Sequence, residues 1–170
     1  MCALNANVAR GPRPRVGEIN PEASLSILEM GVFKGLSGEA VAAIKAKAKK
    51  VTFQPGETVH EYGEPVKCVF VLERGAVNIL MPESRRQLYT VREPGSLLGW
   101  SSMVGRRTAS ATLECVEPAT LLRLEKKDLE AVFKKYPACG QVFYRKLAQD
   151  IGERLTNAYR VISLLLGEIA

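Results

Sequence analysis

Between Gly95 and Ala111 the chain reads GSLLGWSSMVGRRTASA. Closely spaced glycines, a serine pair, two arginines and small hydroxyl residues are the parts of an anion cradle. Arginine presents a planar fork of donors that matches two oxygens of a phosphate or carboxylate. A short helical turn starting near Ser101 and Ser102 offers unpaired backbone N–H groups and a positive dipole end. Small residues let the main chain approach a ligand closely. Strand alternation puts Arg107 and Ala109 on one face and Arg106 and Thr108 on the other, so a one-residue slip would change the anchor. Trp100 stands in the middle of these parts. Its indole has one N–H donor and no useful acceptor, so it must stack on a ring, close a pocket or plug it.

Other chemistry has little support. Cys2, Cys68, Cys115 and Cys139 are scattered, no Cys-x-x-Cys pair occurs, and His60 is the one histidine. The expectation is free thiols in a reducing cytoplasm, and no zinc or iron–sulfur site. His60, in the strand-like TVHEY, is read as a packed or surface side chain, since no second haem ligand stands near it. No nucleophile–base pair, convergent carboxylates or Gly-x-x-x-x-Gly-Lys loop is present, so the chain is expected to be non-enzymatic. No metal is expected. An apolar run of about 18 residues or more is missing, as is a continuous signal-peptide core, so neither a membrane span nor secretion is expected.

The elements that must position the cradle follow from periodicity. The 170 residues are 46% hydrophobic, which suits one domain with a core and an appended helix. The formal charge is +6, with much of the excess in the first fifty residues, at Arg10, Arg13, Arg15, Lys45, Lys47, Lys49 and Lys50. IKAKAKK reads as a solvated helix face, while the basic arm leaves open a contact with nucleic acid or an acidic partner. Residues 1–20 are expected to form a flexible basic arm. Pro21 opens a helix near Ser24–Met30 that Gly31 ends, and Ser37 caps a second carrying Val41 and Ile44. From Val51 onward, VTF, ETVHEY, CVFVLE, AVNILM, QLYTV, ASATLECV and TLLRLE alternate with turn signals, which predicts a compact antiparallel sandwich or barrel. Residues 69–72 form a continuous apolar run, as an interior strand does, and Gly75 marks a tight turn. KKDLEAVFKKYP is an amphipathic helix that Pro137 ends. Beyond it, Ala148, Ile151, Leu155, Ala158, Ile162, Leu165 and Ile169 recur at alternating steps of three and four. That is an a/d seam of about three heptads, read as a dimer interface rather than a face packed on the chain's own barrel.

In order and spacing these pieces resemble the cyclic nucleotide-binding domain family, of the catabolite activator and cAMP-dependent kinase regulatory subunit type. GVFKGLSGEAVAAI looks like the family's opening helix. VTFQPGETVHEYGEPVKCVFVLERGAVNIL looks like its first strands, with the Pro-Gly-Glu turn, Gly63-Glu64 and Gly75 in place. GSLLGW…RRTASA stands where its phosphate-binding cassette stands, and the last helix where its C-helix does. The resemblance covers roughly residues 32–160. It implies an α+β fold: an antiparallel β jelly-roll (double-stranded β-helix) barrel flanked by N-terminal helices and a long C-terminal helix. Residues 21–136 would form the binding-domain body and 137–170 the C-helix. It implies a ligand site at Gly99, Trp100, Ser101, Ser102, Arg107, Thr108, Ala109 and Ser110, with Arg107 as anchor. C-helix contacts are expected from Leu155, Thr156 and Tyr159, with Asn157 beside them. The ligand would be cAMP, cGMP or a related small anion. The dimer face would use Ile151, Leu155, Ala158, Ile162, Leu165 and Ile169, and a further protein partner would read the helix.

Trp100 departs from the family, which carries at this position a glutamate that accepts the ribose 2′-hydroxyl proton. Losing that partner costs about 1–3 kcal/mol, or roughly ten- to hundredfold in affinity. The segment from Trp100 to Arg107 also looks short for the family. Three readings stay open: an altered but live site, an empty scaffold that dimerises or binds a partner, and a sensor of a different signal. The family's activators carry a helix-turn-helix after the C-helix. The chain reaches Ala170 without room for one, so no DNA-binding domain is expected.

Overall fold

The computed structural model describes residues 27–167 and the strand Arg15–Val16. Nine strands follow in chain order: β1 (Arg15–Val16), β2 (Lys49–Phe53), β3 (Thr58–His60), β4 (Cys68–Arg74), β5 (Val77–Leu80), β6 (Gln87–Val91), β7 (Leu97–Leu98), β8 (Thr112–Cys115) and β9 (Ala119–Glu125). Three helices, α1 (Gly38–Lys45), α2 (Lys126–Lys135) and α3 (Pro137–Leu165), and two 3₁₀ turns, Gly31–Phe33 and Trp100–Val104, complete the described elements. The strands form two antiparallel sheets, one ordered β1-β2-β9-β4-β7 and the other β3-β8-β5-β6.

The pairing of β4 with β9 (Val69↔Leu124, Val71↔Leu122) is buried on both faces. Because strand side chains alternate, Val69, Val71, Leu122 and Leu124 face the helices, while Phe70, Leu72 and Leu121 face the second sheet. This is why CVFVLE reads as an unbroken apolar run instead of an alternating one. On the helical side Phe143 is fully buried, with ring centroids 5.2 Å from Phe33 and 4.9 Å from Phe133. Between the sheets, Val51, Phe53 and Phe70 pack with Val77, Ile79 and Leu113.

Local chemistry sets the element ends as expected. The Ser37 hydroxyl accepts a hydrogen bond from the Ala40 N–H at 3.3 Å and caps α1, whose buried side chains are Ala40, Val41 and Ile44. QPGE and YGEP form turns of the same design. In each, the glutamate carboxylate accepts the N–H of the residue three earlier: Gln54 N–H to Glu57 at 2.7 Å, and Glu61 N–H to Glu64 at 3.1 Å. Gly75 holds φ at 96°, and a Cβ there would stand 2.4 Å from the Pro118 carbonyl oxygen, so no other residue fits the turn.

Several expectations change. IKAKAKK is not one solvated helix face. α1 stops at Lys45, Lys49 and Lys50 lie in β2, and Lys50 forms a largely buried ion pair with Glu73 at 3.0 Å. Inside the expected arm, Arg15 and Val16 pair with Thr52 and Val51 of β2. The rest of that arm and most of the helix expected near Ser24–Met30 lie outside the described residues, as does Ile169. β1 and β7 were not foreseen, because two-residue strands are too short to alternate and are defined by their partners. Among the described residues no helix is long and apolar enough to cross a membrane.

Truncating Phe143 empties the centre of the helix–sheet core. Phe143→Ala is expected to destabilise the chain by about 3–5 kcal/mol, read as a lower urea midpoint with an unchanged slope.

Candidate functional site

The cassette hangs from β4 through β7, by the pairs Phe70↔Leu98 and Val71↔Leu97. Gly99 follows in the left-handed region at φ 71°, and a Cβ on it would lie 3.2 Å from His60 Cε1. The chain then makes the 3₁₀ turn Trp100–Val104, stopped by Gly105 at φ 85°. Ser101, Ser102 and Met103 are buried. The Ser101 and Ser110 hydroxyls share a hydrogen bond of 2.8 Å, and the Arg106 N–H reaches the Ser101 carbonyl at 3.1 Å, so the two ends of the cassette are joined. The Ser102 hydroxyl donates more weakly, at 3.4 Å, to the carbonyls of Cys68 and Gly99.

The second half of the cassette is fixed by the YGEP turn. Gly63 N–H donates to the Ala109 carbonyl at 3.0 Å, Ala109 N–H to Glu64 at 2.9 Å, and Val66 N–H to Arg107 at 3.0 Å. Thr108 makes an isolated bridge with Pro65. The backbone of residues 107–109 is therefore set by the turn at residues 63–65. A second polar group supports the same region. Arg85 donates to both oxygens of Glu61 at 2.9 Å and to Glu114 at 2.7 Å, and the buried Thr112 hydroxyl donates to Glu61 at 3.0 Å.

A cavity of about 180 Å³ lies between the cassette and α3. Gly99, Trp100, Ser101 and Ser110, four of the positions expected to meet a ligand, line it. Ile79, Leu98 and Leu113 form an aliphatic wall, with His60, Tyr89 and Arg154 at other sides. Ser102 and Ala109 are buried outside the lining. Arg107 and Thr108 are exposed and do not line it either, and Arg106 is likewise exposed. Among the described residues no carboxylate forms an ion pair with Arg107.

From α3 the structure brings Arg154 to the cavity, whereas Leu155, Thr156 and Tyr159 are exposed away from it. The Thr156 hydroxyl donates to the Gly152 carbonyl of its own helix at 3.0 Å. Arg154 forms an i,i+4 ion pair with Asp150 at 2.9 Å, and it donates to the Tyr89 hydroxyl and the Leu97 carbonyl, each at 3.3 Å. The i,i+4 Asp–Arg spacing was the available sequence signal; the rotation of the helix against β6 and β7 was not. Of the seam residues, Ile151 packs against the helical core, while Leu155, Ala158, Ile162 and Leu165 are exposed, Leu165 at 81%.

Burial dominates the titration of the groups around the cavity. Desolvation holds the His60 imidazole down to about 4, against weaker opposing effects from Glu64, the Ala111 backbone and Glu61. Burial pushes the Cys115 thiol up to about 12 and raises that of Cys68. Cys68, Cys115 and Cys139 are free, and no cluster of three metal-ligating side chains occurs among the described residues.

The comparisons with known proteins agree with this layout. Residues 50–136, just over half of the chain, match the family model of the cyclic nucleotide-binding domain. The chain belongs to that family, whose members are regulatory and mostly non-enzymatic. It is 29% identical over 131 residues to a CRP-like cAMP-activated global transcriptional regulator of Mycobacterium tuberculosis, covering 75% of this chain and 57% of that protein. It is 28% identical over 149 residues to glutaminase 1 of Bradyrhizobium diazoefficiens, covering 88% of this chain and 24% of that protein. It is 29% identical over 126 residues to the human cyclic nucleotide-gated channel beta-3, covering 71% of this chain and 15% of the channel. Thus the chain spans little more than half of the first of these and a quarter or less of the others. Among solved structures, a cyclic nucleotide-binding domain from Methylobacillus flagellatus superposes with a TM-score of 0.71 at 20% identity, covering 88% of this chain and 84% of that one. The N-terminal domain of a transcriptional regulator from Streptomyces coelicolor gives 0.60 at 26% identity, covering 75% and 89%.

The half-buried, neutral imidazole has a consequence for pH. Between its usual 6.5 and about 4, the unfolded chain binds a proton at His60 that the folded chain excludes. Its contribution to stability is complete above pH 6.5 and is lost as the pH falls toward 4. Thermal melts at pH 7 and pH 5 are expected to show a smaller drop for His60→Gln than for the wild type. Equal drops would show that His60 is solvated.

Proposed function

We propose that this chain is a ligand-sensing regulatory domain that binds a cyclic nucleotide or a related anionic small molecule and signals through α3. The observation that carries this reading is the cavity itself. One side belongs to the cassette, through Gly99, Trp100, Ser101 and Ser110, and the other to α3, through Arg154. Filling it acts on the helix directly. Past Arg154, most of the described residues of the same helix are exposed, with Leu155 and Ile162 about half exposed. Ligand-driven shifts in helix packing would thus reach a second copy docked along that stripe. We place the domain in a reducing, cytoplasmic setting, where Cys68, Cys115 and Cys139 stay as free thiols.

A second reading is favoured by two other observations. Arg107 does not line the cavity, and Ser101 and Ser110 satisfy each other. On this reading the domain is a non-binding scaffold that dimerises or docks a partner. The two readings part on ligand response. Trp100 is the single tryptophan, so its fluorescence reports the cavity without interference. In the sensor reading, cAMP, cGMP or another small anion changes that emission and raises the melting temperature. For a ligand whose phosphate sits on the cassette, Arg107→Ala weakens binding by about tenfold or more. A flat response across cyclic mononucleotides, cyclic dinucleotides and small carboxylates leaves the scaffold reading.

The helix output has its own test. Sedimentation is expected to show a dimer for the wild type and a monomer for Leu155→Asp, because a carboxylate at the seam costs several kcal/mol when desolvated. A wild-type monomer would rule out signalling through a second copy.

A further inference from the structure

We propose that the cavity takes a compact, ring-bearing carboxylate, and that Arg154, not Arg107, is its charge anchor. This rests on the sensor reading above and narrows its ligand to one chemical class. Size argues first. The cavity holds about 180 Å³. Sites for drug-sized ligands begin at roughly 300 Å³, whereas roughly 150 Å³ is enough for benzene in an apolar hole. One ring with a small polar group fills it; a purine, a ribose and a phosphate together would extend past its open side. Its walls suit such a ring, with the aromatic faces of Trp100 and Tyr89 and the aliphatic Ile79, Leu98 and Leu113.

Charge argues second. Among the residues lining the cavity, Arg154 alone carries a permanent charge. Its guanidinium is held by contacts that a ligand can replace. Nε meets Asp150 Oδ1, Nη1 meets the Tyr89 hydroxyl and Nη2 meets the Leu97 carbonyl, all at 3.3 Å. Nη2 also stands 2.9 Å from Asp150 Oδ2, an ion-pair contact without hydrogen-bond geometry. A planar carboxylate on the Nη1–Nη2 edge makes two parallel, shorter bonds in place of these. Nε stays available to Asp150, so the arginine is never left uncompensated. The exchange also loosens the point where α3 is tied to β6 and β7, just before the exposed stripe begins. The same group thus binds the anion and releases the helix.

The experiment uses the full chain, with benzoate and cAMP titrated in parallel, read by Trp100 emission and by melting temperature. Benzoate is expected to shift both. Arg154→Gln should weaken it by about tenfold or more, since a charge-assisted bidentate contact is lost. Arg107→Gln should leave benzoate binding unchanged. Asp150→Asn removes a competitor for the guanidinium and should tighten benzoate about two- to fivefold while lowering the melting temperature of the unliganded chain. This last variant breaks the same ion pair as Arg154→Gln, so opposite effects on affinity separate an anchor from a structural tie. If both variants weaken benzoate alike, Arg154 is only a tie and the proposal fails. If cAMP binds and depends on Arg107 but not Arg154, the proposal is overturned while the sensor reading stands. If neither probe shifts the protein, both fall.

Discussion

The ladder between β4 and β9 is the constraint on which the rest of the molecule depends. It is covered on both faces, by the helices on one side and by the second sheet on the other. Buried backbone groups must be paired, so two strands without solvent on either face must complete their ladders with each other and their neighbours. Everything functional is then placed relative to this pair. β7 adds to β4 and delivers Gly99 and Trp100. β8 pairs with β3 and β5 in the facing sheet and brings the end of the cassette back beside His60. α2 follows β9 directly, and α3 follows α2 with Pro137 in its first turn. The cavity is the gap left where these placements meet.

The cassette beside that gap is held by bonds from its own chain. The YGEP turn and the Ser101–Ser110 hydroxyl pair hold its two halves without any ligand. Such a loop is preorganised, so its shape costs little on binding. The indole at position 100 offers a flat apolar face, and the half-buried imidazole of His60 is kept neutral by desolvation. The one permanent charge lining the cavity is therefore on the helix, at Arg154.

α3 has two physical regimes. Up to Ile151 it is part of the core, with Phe143 and Leu147 buried, and its position is set by packing. Beyond that it presents apolar residues to solvent on a stripe of three-four spacing. Arg154 sits at the changeover and is the polar tie between the helix and the sheet. A helix held firmly at one end and by a few long hydrogen bonds at the next turn can lean without unfolding. The proposed coupling of the cavity to the exposed stripe would act through such a lean.

Most of the strands, the capped α1, the glycine turns and the long last helix were legible in the sequence because each depends on local rules. Hydrophobic period, N-cap chemistry and positive φ act over a few residues. Gly75 and Ser37 are clear cases, and so is the apolar run at residues 69–72. Half of the expected cassette positions also line the cavity. Tertiary structure decided the remainder. Whether Arg107 or Arg154 reaches the cavity depends on how a helix rotates against a sheet far away in sequence, and one residue, about 100° of turn, separates Arg154 from Leu155. The fate of Lys50 depended on Glu73 across β9, and β1 and β7 exist as strands through the partners they meet. Local spacing specifies which groups are present and in what order; only long-range packing specifies which of them share one small volume.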